Sequence, residues 1–107
     1  MNLYLALILA ILFEVTGTML LPLTNEFSKL IPTSLVIIFY SVSFYFLSVA
    51  VVKFPLTIVY ASWTGLGVVS VAILSYYFYK QPLNLITIIG LFMIVIGVVL
   101  VNVFKTD

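Results

Sequence analysis

The sequence predicts an all-α integral membrane protein of four transmembrane helices, and three observations predict it. Hydrophobic residues make up 65% of the 107-residue chain. Four basic and three acidic side chains amount to 7% charged residues, against the roughly 25% that a water-facing domain carries. The apolar residues fall into four runs, each near the roughly 20 residues that a helix needs to cross the hydrocarbon core. So few charges cannot cover a surface in water. The bilayer is the solvent, and the length holds four spans and little else.

The first span covers about 3–21. Pro22 and the polar stretch Thr24-Asn25-Glu26-Phe27-Ser28-Lys29 interrupt it. It does not read as a secretory signal, because it lacks a basic leader and contains a carboxylate. The second span, about 33–52, is introduced by Pro32 and ended by Lys53-Phe54-Pro55. The third, about 57–79, stops at Lys80-Gln81-Pro82, and the fourth, about 85–104, at Lys105-Thr106-Asp107. Every break carries a lysine and each of the three loops a proline, as span ends do. The connections are short, so consecutive helices are antiparallel neighbours. Residues 1–107 thus read as one transmembrane domain. Four such helices make a thin bundle with little room inside, and oligomerisation is expected on size alone.

Orientation is evenly balanced. Lys29 and Lys80 fall on one side of the membrane, Lys53 and Lys105 on the other, so the lysine count that normally orients a chain is two against two. Either a weak bias from the amino terminus or the lipid decides, or the chain inserts both ways and antiparallel dimers form from one product.

Composition also excludes several chemistries. Without cysteine or histidine there is no disulfide framework, no usual zinc or haem site and no Ser/His/Asp set. No Gly-rich phosphate loop or basic stripe for nucleic acid is present. The sequence implies no cofactor and no metal. An enzyme is not expected, since a single intramembrane carboxylate lacks the nucleophile, metal or partner that a recognisable reaction needs.

That carboxylate is Glu14. Glu26 lies in a polar loop and Asp107 at the terminus, both expected in water, whereas Glu14 lies near the middle of the first span, with no charged side chain within ten residues. An ionised group there costs a few kcal/mol. It either stays protonated, packing against another helix, or faces a cavity that admits water or a cation. At helical spacings around it lie Leu7, Ala10, Ile11, Gly17, Thr18 and Leu21. Ala10, Gly17 and Thr18 are small enough to leave space. A group that holds a proton and releases it when a cation arrives is the minimal apparatus of an antiporter.

Aromatic residues supply a second ingredient. Tyr40, Ser43, Phe44 and Leu47 share a face of the second helix, and Tyr60 and Trp63 share a face of the third. Aromatic faces attract desolvated cations, quaternary ammonium groups above all. With nine Phe and seven Tyr, most rings must instead face lipid, core or the interfacial belt, and Tyr4, Tyr76, Tyr77 and Tyr79 near span ends read as belt. Trp63, the sole tryptophan, lies mid-span, where a belt residue does not belong. Gly65 and Gly67 read equally as a hinge or, with Ala61, as a packing seam. The fourth helix has no ionisable residue. Gly90 and Gly97, seven apart, leave a smooth strip suited to helix association between protomers, or to close packing within one.

The pattern resembles the small multidrug resistance family of bacterial transporters along essentially the whole chain. The resemblance is carried by Phe13-Glu14-Val15-Thr16-Gly17-Thr18, Pro32, Tyr40 with Ser43-Phe44, Pro55, Tyr60-Ala61-Ser62-Trp63-Thr64-Gly65-Leu66-Gly67, and Gly90 to Gly97. It implies antiparallel dimers of four-helix protomers, in the bacterial inner membrane, that expel hydrophobic monovalent cations in exchange for protons. It implies that Glu14 binds proton and substrate in turn. Leu7, Ala10, Ile11, Gly17, Thr18, Tyr40, Ser43, Phe44, Leu47, Tyr60 and Trp63 are then the substrate-site residues, Gly65 and Gly67 the hinge, and Gly90 and Gly97 the dimer contact. Thr16-Gly17-Thr18 looks like the quaternary-ammonium and polyaromatic-cation branch, since guanidinium exporters usually carry Trp close after the glutamate. The alternative is export of guanidinium or polyamine, alone or as one half of a heterodimer. Pro22, Ile31 and Tyr45 depart from the family pattern and bear on substrate range more than on mechanism.

Overall fold

The computed structural model describes residues 2–104. They form four α-helices, α1 (Leu3–Leu20), α2 (Leu30–Ala50), α3 (Leu56–Phe78) and α4 (Leu85–Val103), with no strand among the described residues. All four are long and apolar enough to cross a membrane. Many large apolar side chains point outward: Leu30 on α2 and Ile86 on α4 are both 80% exposed. Such a surface is compatible with lipid and not with water. Lys29, Lys53 and Lys80 are exposed at the helix connections, while Lys105 and Asp107 lie outside the described residues.

The helix ends show how donors that lipid cannot satisfy are met. The Asn2 side chain accepts the Tyr4 N–H at 2.8 Å ahead of α1, and Asn84 accepts the Thr87 N–H at 2.8 Å ahead of α4. Pro32, read from the sequence as preceding its helix, is the third residue of α2. It still lies in the first turn, where its missing N–H has no intrahelical partner to lose. At the end of α3, Lys80 turns left-handed (φ 54°), and the Gln81 N–H returns to the Ser75 carbonyl at 3.3 Å.

The α1–α2 connection is the most strained segment. A 3₁₀ turn, Leu21–Thr24, accommodates Pro22. Asn25, Glu26 and Phe27 then follow with φ of 48°, 61° and 63°, one turn of the wrong hand built from L-residues. Buried Thr24 holds it closed. Its hydroxyl donates to the Leu21 carbonyl at 2.8 Å and accepts the Phe27 N–H at 3.3 Å. The Ser28 and Lys29 N–H groups return to its carbonyl at 3.0 and 3.1 Å.

The chain divides between Lys53 and Phe54 into two units, α1–α2 and α3–α4. In the first, the Phe13 ring packs between Phe39 and Phe46 of α2, both centroids at 5.9 Å. The buried Ser43 hydroxyl donates to the Ala10 carbonyl at 2.6 Å, tying α2 to the turn of α1 just before Glu14. In the second, Val98 and Ile94 of α4 face Gly65 of α3 at close range.

The left-handed turn makes a prediction. A left-handed L-residue costs about 1–2 kcal/mol, and glycine gives back about 0.5–1 kcal/mol through its freer unfolded chain. Glu26→Gly is therefore expected to stabilise the protein by about 0.5–1 kcal/mol. Unfolding in detergent micelles, followed by circular dichroism, measures it. A lowered midpoint would mean that Glu26 carries a contact worth more than its backbone strain.

Candidate functional site

Glu14 is half-buried on α1. Its Oε1 accepts a hydrogen bond from Thr18 Oγ1 at 3.1 Å, one turn later on the same helix. Thr18 Oγ1 in turn lies 2.6 Å from the Tyr40 hydroxyl on α2. Thr18 has one hydroxyl proton, so when it donates to Glu14 the Tyr40 hydroxyl must donate to it. The result is a directed chain, Tyr40 to Thr18 to Glu14. Protonating the carboxyl on Oε1 allows the chain to run the other way, with Glu14 donating to Thr18 and Thr18 to Tyr40. Oε2 is buried and accepts no hydrogen bond among the described residues. A carboxylate with one satisfied oxygen and one unsatisfied oxygen has capacity left for a proton or a cation.

Small residues bring these groups together. A Cβ at Gly17 would lie 3.0 Å from two atoms of the Tyr40 ring, so glycine there lets the ring close onto α1 with its hydroxyl at Thr18. Leu7, Ala10, Ile11 and Gly17 are buried on the Glu14 face. Ser43, expected at the substrate site, is 1% exposed, and its hydroxyl is committed to the Ala10 backbone. Phe44 is 58% exposed and Leu47 half-buried on the same helix.

In the α3–α4 unit, the Tyr60 and Trp63 rings lie 6.0 Å apart, tilted by 48°. Tyr60 is exposed and Trp63 half-buried. Gly67 is buried and, at i+4 from Trp63, lies on their face of α3. Gly65 points elsewhere: a Cβ there would come within 2.5 Å of Val98 Cγ2 and 3.3 Å of Ile94 Cγ2. The packing-seam reading of Gly65 thus has a direct geometric basis. Within the α3–α4 unit, by contrast, a Cβ at Gly90 or Gly97 would meet nothing within 4 Å among the described residues, so α3 leaves this strip of α4 bare.

The sequence profile of the Small Multidrug Resistance protein family matches residues 2–94. The chain belongs to the small multidrug resistance family. Like its relatives in that family, it is a multi-pass protein of the bacterial plasma membrane. It is 48% identical over 104 residues to the quaternary ammonium compound-resistance protein QacH of Staphylococcus saprophyticus, an alignment covering 97% of each chain. It is 44% identical to QacC of Staphylococcus aureus, another protein of that description, again with 97% of each chain covered. The multidrug resistance protein EbrA of Bacillus atrophaeus is 38% identical, over 92% of this chain and 94% of its own. The small multidrug resistance proteins are resistance transporters, not an enzyme class.

A further polar contact in this small multidrug resistance protein is not evident from its sequence. Asn102 of α4 donates to Ser62 Oγ of α3 at 2.8 Å. Both residues sit in apolar spans and neither titrates, so neither stands out as Glu14 does. An amide in an apolar span is costly without a partner, and that was the available signal.

The Gly65 contact is testable. Val98 is β-branched and stiff, so it cannot swing clear of a new methyl group easily. Gly65→Ala is expected to destabilise the α3–α4 unit by about 1–3 kcal/mol, the usual cost of overpacking. Val98→Ala in the same chain is expected to recover most of the loss. Thermal unfolding of the four proteins of this cycle checks it, and equal destabilisation with and without Val98→Ala would remove the steric explanation.

Proposed function

We propose that the protein is a proton-coupled antiporter that exports hydrophobic monovalent cations, quaternary ammonium and polyaromatic ions among them, across the bacterial plasma membrane. The observation that carries this reading is Glu14, a carboxyl in an apolar span with one oxygen bonded to Thr18 and the other buried without a partner among the described residues. Ionisable groups are kept inside membranes at a cost of a few kcal/mol, and function is the usual reason. The tilted Tyr60–Trp63 pair suits the body of a lipophilic cation. Resistance of the QacH and QacC kind supports the substrate class.

Coupling follows from competition. Proton and cation both need the Glu14 carboxylate. Binding one therefore disfavours the other, and linkage makes the effect reciprocal. Export results if the dimer switches the side to which its cavity opens when Glu14 is occupied, and not when it is empty and ionised. The functional unit on this reading is an antiparallel homodimer that brings two copies of Glu14 to one cavity, with α3 bending at Gly65 and Gly67. The unfilled strip at Gly90 and Gly97 supports contact between the α4 helices. Leu7, Ala10, Ile11, Gly17, Thr18, Tyr40, Phe44 and Leu47 shape the site around the carboxyl. Ser43 fixes α2 against α1 beneath it.

Proteoliposomes with an imposed pH gradient test the assignment, with an ethidium-like cation, guanidinium and spermidine in parallel. Cation affinity is expected to fall as pH drops through the Glu14 titration, because protonation removes the charge that the cation needs. Binding is expected to release protons into weakly buffered detergent. Glu14→Gln is expected to abolish both, since an amide neither titrates nor supplies charge, and Glu14→Asp to keep exchange in a shifted pH range. Uphill transport by Glu14→Gln would overturn the assignment. Guanidinium or spermidine flux without ethidium flux would favour the narrow exporter instead.

The even lysine count generates a separate expectation, dual insertion. A tag at the C-terminus is expected to be accessible from both sides of the membrane, and two added lysines on one side's loops to force a single orientation. A one-sided population in the unmodified protein would exclude it.

A further inference from the structure

Ser62 lies next to Trp63 in sequence and about 100° around α3 from it, and about 160° from Tyr60. It faces α4 while the aromatic pair faces away. There it is 2% exposed and accepts one N–H of Asn102 at 2.8 Å. The second N–H of the same amide donates to the Val98 carbonyl, one turn back on α4, also at 2.8 Å. This double use fixes the amide. Flipped, its oxygen would sit against the Val98 carbonyl oxygen, two acceptors face to face. Asn102 therefore presents a donor to α3 in one orientation only.

Beside this bond lies an apolar contact. Val98 and Ile94 pack on the bare backbone at Gly65. Helices in lipid gain nothing from the hydrophobic effect when they meet, so smooth apolar contacts set the distance between them and only weakly their rotation. A rotation of α3 by about 20° would carry a side-chain tip, about 5–6 Å from the axis, through about 2 Å. The Ser62–Asn102 bond breaks on such a rotation, whereas the Gly65–Val98 contact survives it.

We propose that Ser62 and Asn102 are a positioning pair: their bond sets the rotation of α3 on α4, and with it the direction in which Tyr60 and Trp63 meet the cation. The inference rests on the reading above that these two rings recognise substrate. Neither Ser62 nor Asn102 touches the cation. Both act through the helix that carries the rings, and they tie that recognition helix to α4.

Trp63 is the sole tryptophan, so its emission reports the setting of α3 with no label and no transport. Ser62→Ala, Asn102→Leu and the double variant are compared with Ser62→Thr, which keeps the hydroxyl. The expected result is a shift in Trp63 emission maximum and acrylamide quenching in both single variants, with tetraphenylphosphonium affinity weakened about three- to tenfold, the range of an interhelical hydrogen bond in a membrane. The double variant is expected to match the singles, because one bond is lost in all three, and Ser62→Thr to match the parent. Ser62→Ala removes a single oxygen and carries the test where Asn102→Leu does not assemble. Unchanged emission with affinity within twofold of the parent would overturn the proposal, as would a double variant whose loss is the sum of the singles. A fall in thermal stability alone, with emission and affinity kept, would reduce the pair to packing and overturn it too. A protein that failed to exchange cations for protons would still answer the emission arm, so the two failures are distinguishable.

Discussion

A carboxyl group inside hydrocarbon has to find its partners within the protein, and the α1–α2 unit is organised around that requirement. Glu14 has no opposite charge within ten residues along the chain. What it has instead is a hydroxyl one turn away, Thr18, and behind it a second hydroxyl, Tyr40. Neutral hydroxyls suit a group that changes protonation state, as the proposed antiport asks of Glu14. On that proposal a lysine or arginine would hold the carboxylate ionised and compete with the cation for it, whereas two hydroxyls serve the ionised and the protonated forms by reversing the direction of their hydrogen bonds. Gly17 makes the arrangement possible by letting the Tyr40 ring reach α1. Ser43 secures it by bonding the Ala10 carbonyl four residues before Glu14.

The α3–α4 unit follows the same rule with uncharged groups. It has a buried polar contact, Ser62–Asn102, and a close approach, Gly65 against Val98. Elsewhere several hydroxyls of α1–α3 are satisfied locally, although the buried Thr33 hydroxyl is not. Thr16, Ser48 and Thr64 bond carbonyls three or four residues back in their own helices, at 2.8, 2.6 and 2.7 Å. Such back-bonding lets an otherwise apolar span carry hydroxyls at the lipid surface without leaving donors unmet. The polar side chains that reach across to another helix are the informative ones, because they had a local alternative.

The four spans were legible because the bilayer imposes one pattern, about twenty apolar residues between polar breaks, and because Lys and Pro mark the breaks. The exceptional standing of Glu14 was legible for the same reason: a lone ionisable group in such a run is costly and stands out. The rest depended on information that one helix does not contain. Ser43 lies among aromatic residues on a face that suits a substrate, yet its hydroxyl is bound to α1, and only the packing of two helices decides that. Gly65 and Gly67 look alike in sequence, but two residues along a helix is a little more than a half-turn. Gly65 therefore meets α4 while Gly67 shares the face of Trp63. Thr24-Asn25-Glu26-Phe27 reads as an ordinary polar loop, and nothing in those residue types announces three consecutive left-handed residues without a glycine. Asn102 carries no charge, and its partner lies on another helix.

In both units a glycine and a polar pair stand close together: Gly17 beside Thr18, and Gly65 one turn from Ser62. The two devices do different work. A glycine lets a ring or a β-branched side chain settle on bare backbone, which sets how near two helices come but leaves them free to turn, since van der Waals contact between smooth surfaces is nearly the same over a range of angles. A hydrogen bond adds the missing constraint, because its donor and acceptor must align. The glycine is also a condition for the bond. A Cβ at position 17 would press on the Tyr40 ring whose hydroxyl meets Thr18, and one at position 65 would push away the Val98 turn that carries Asn102. In water a helix pair would be chosen largely by the apolar area it hides. In lipid that term vanishes, and a chain this short selects one helix pairing by placing a few polar contacts beside points of closest approach.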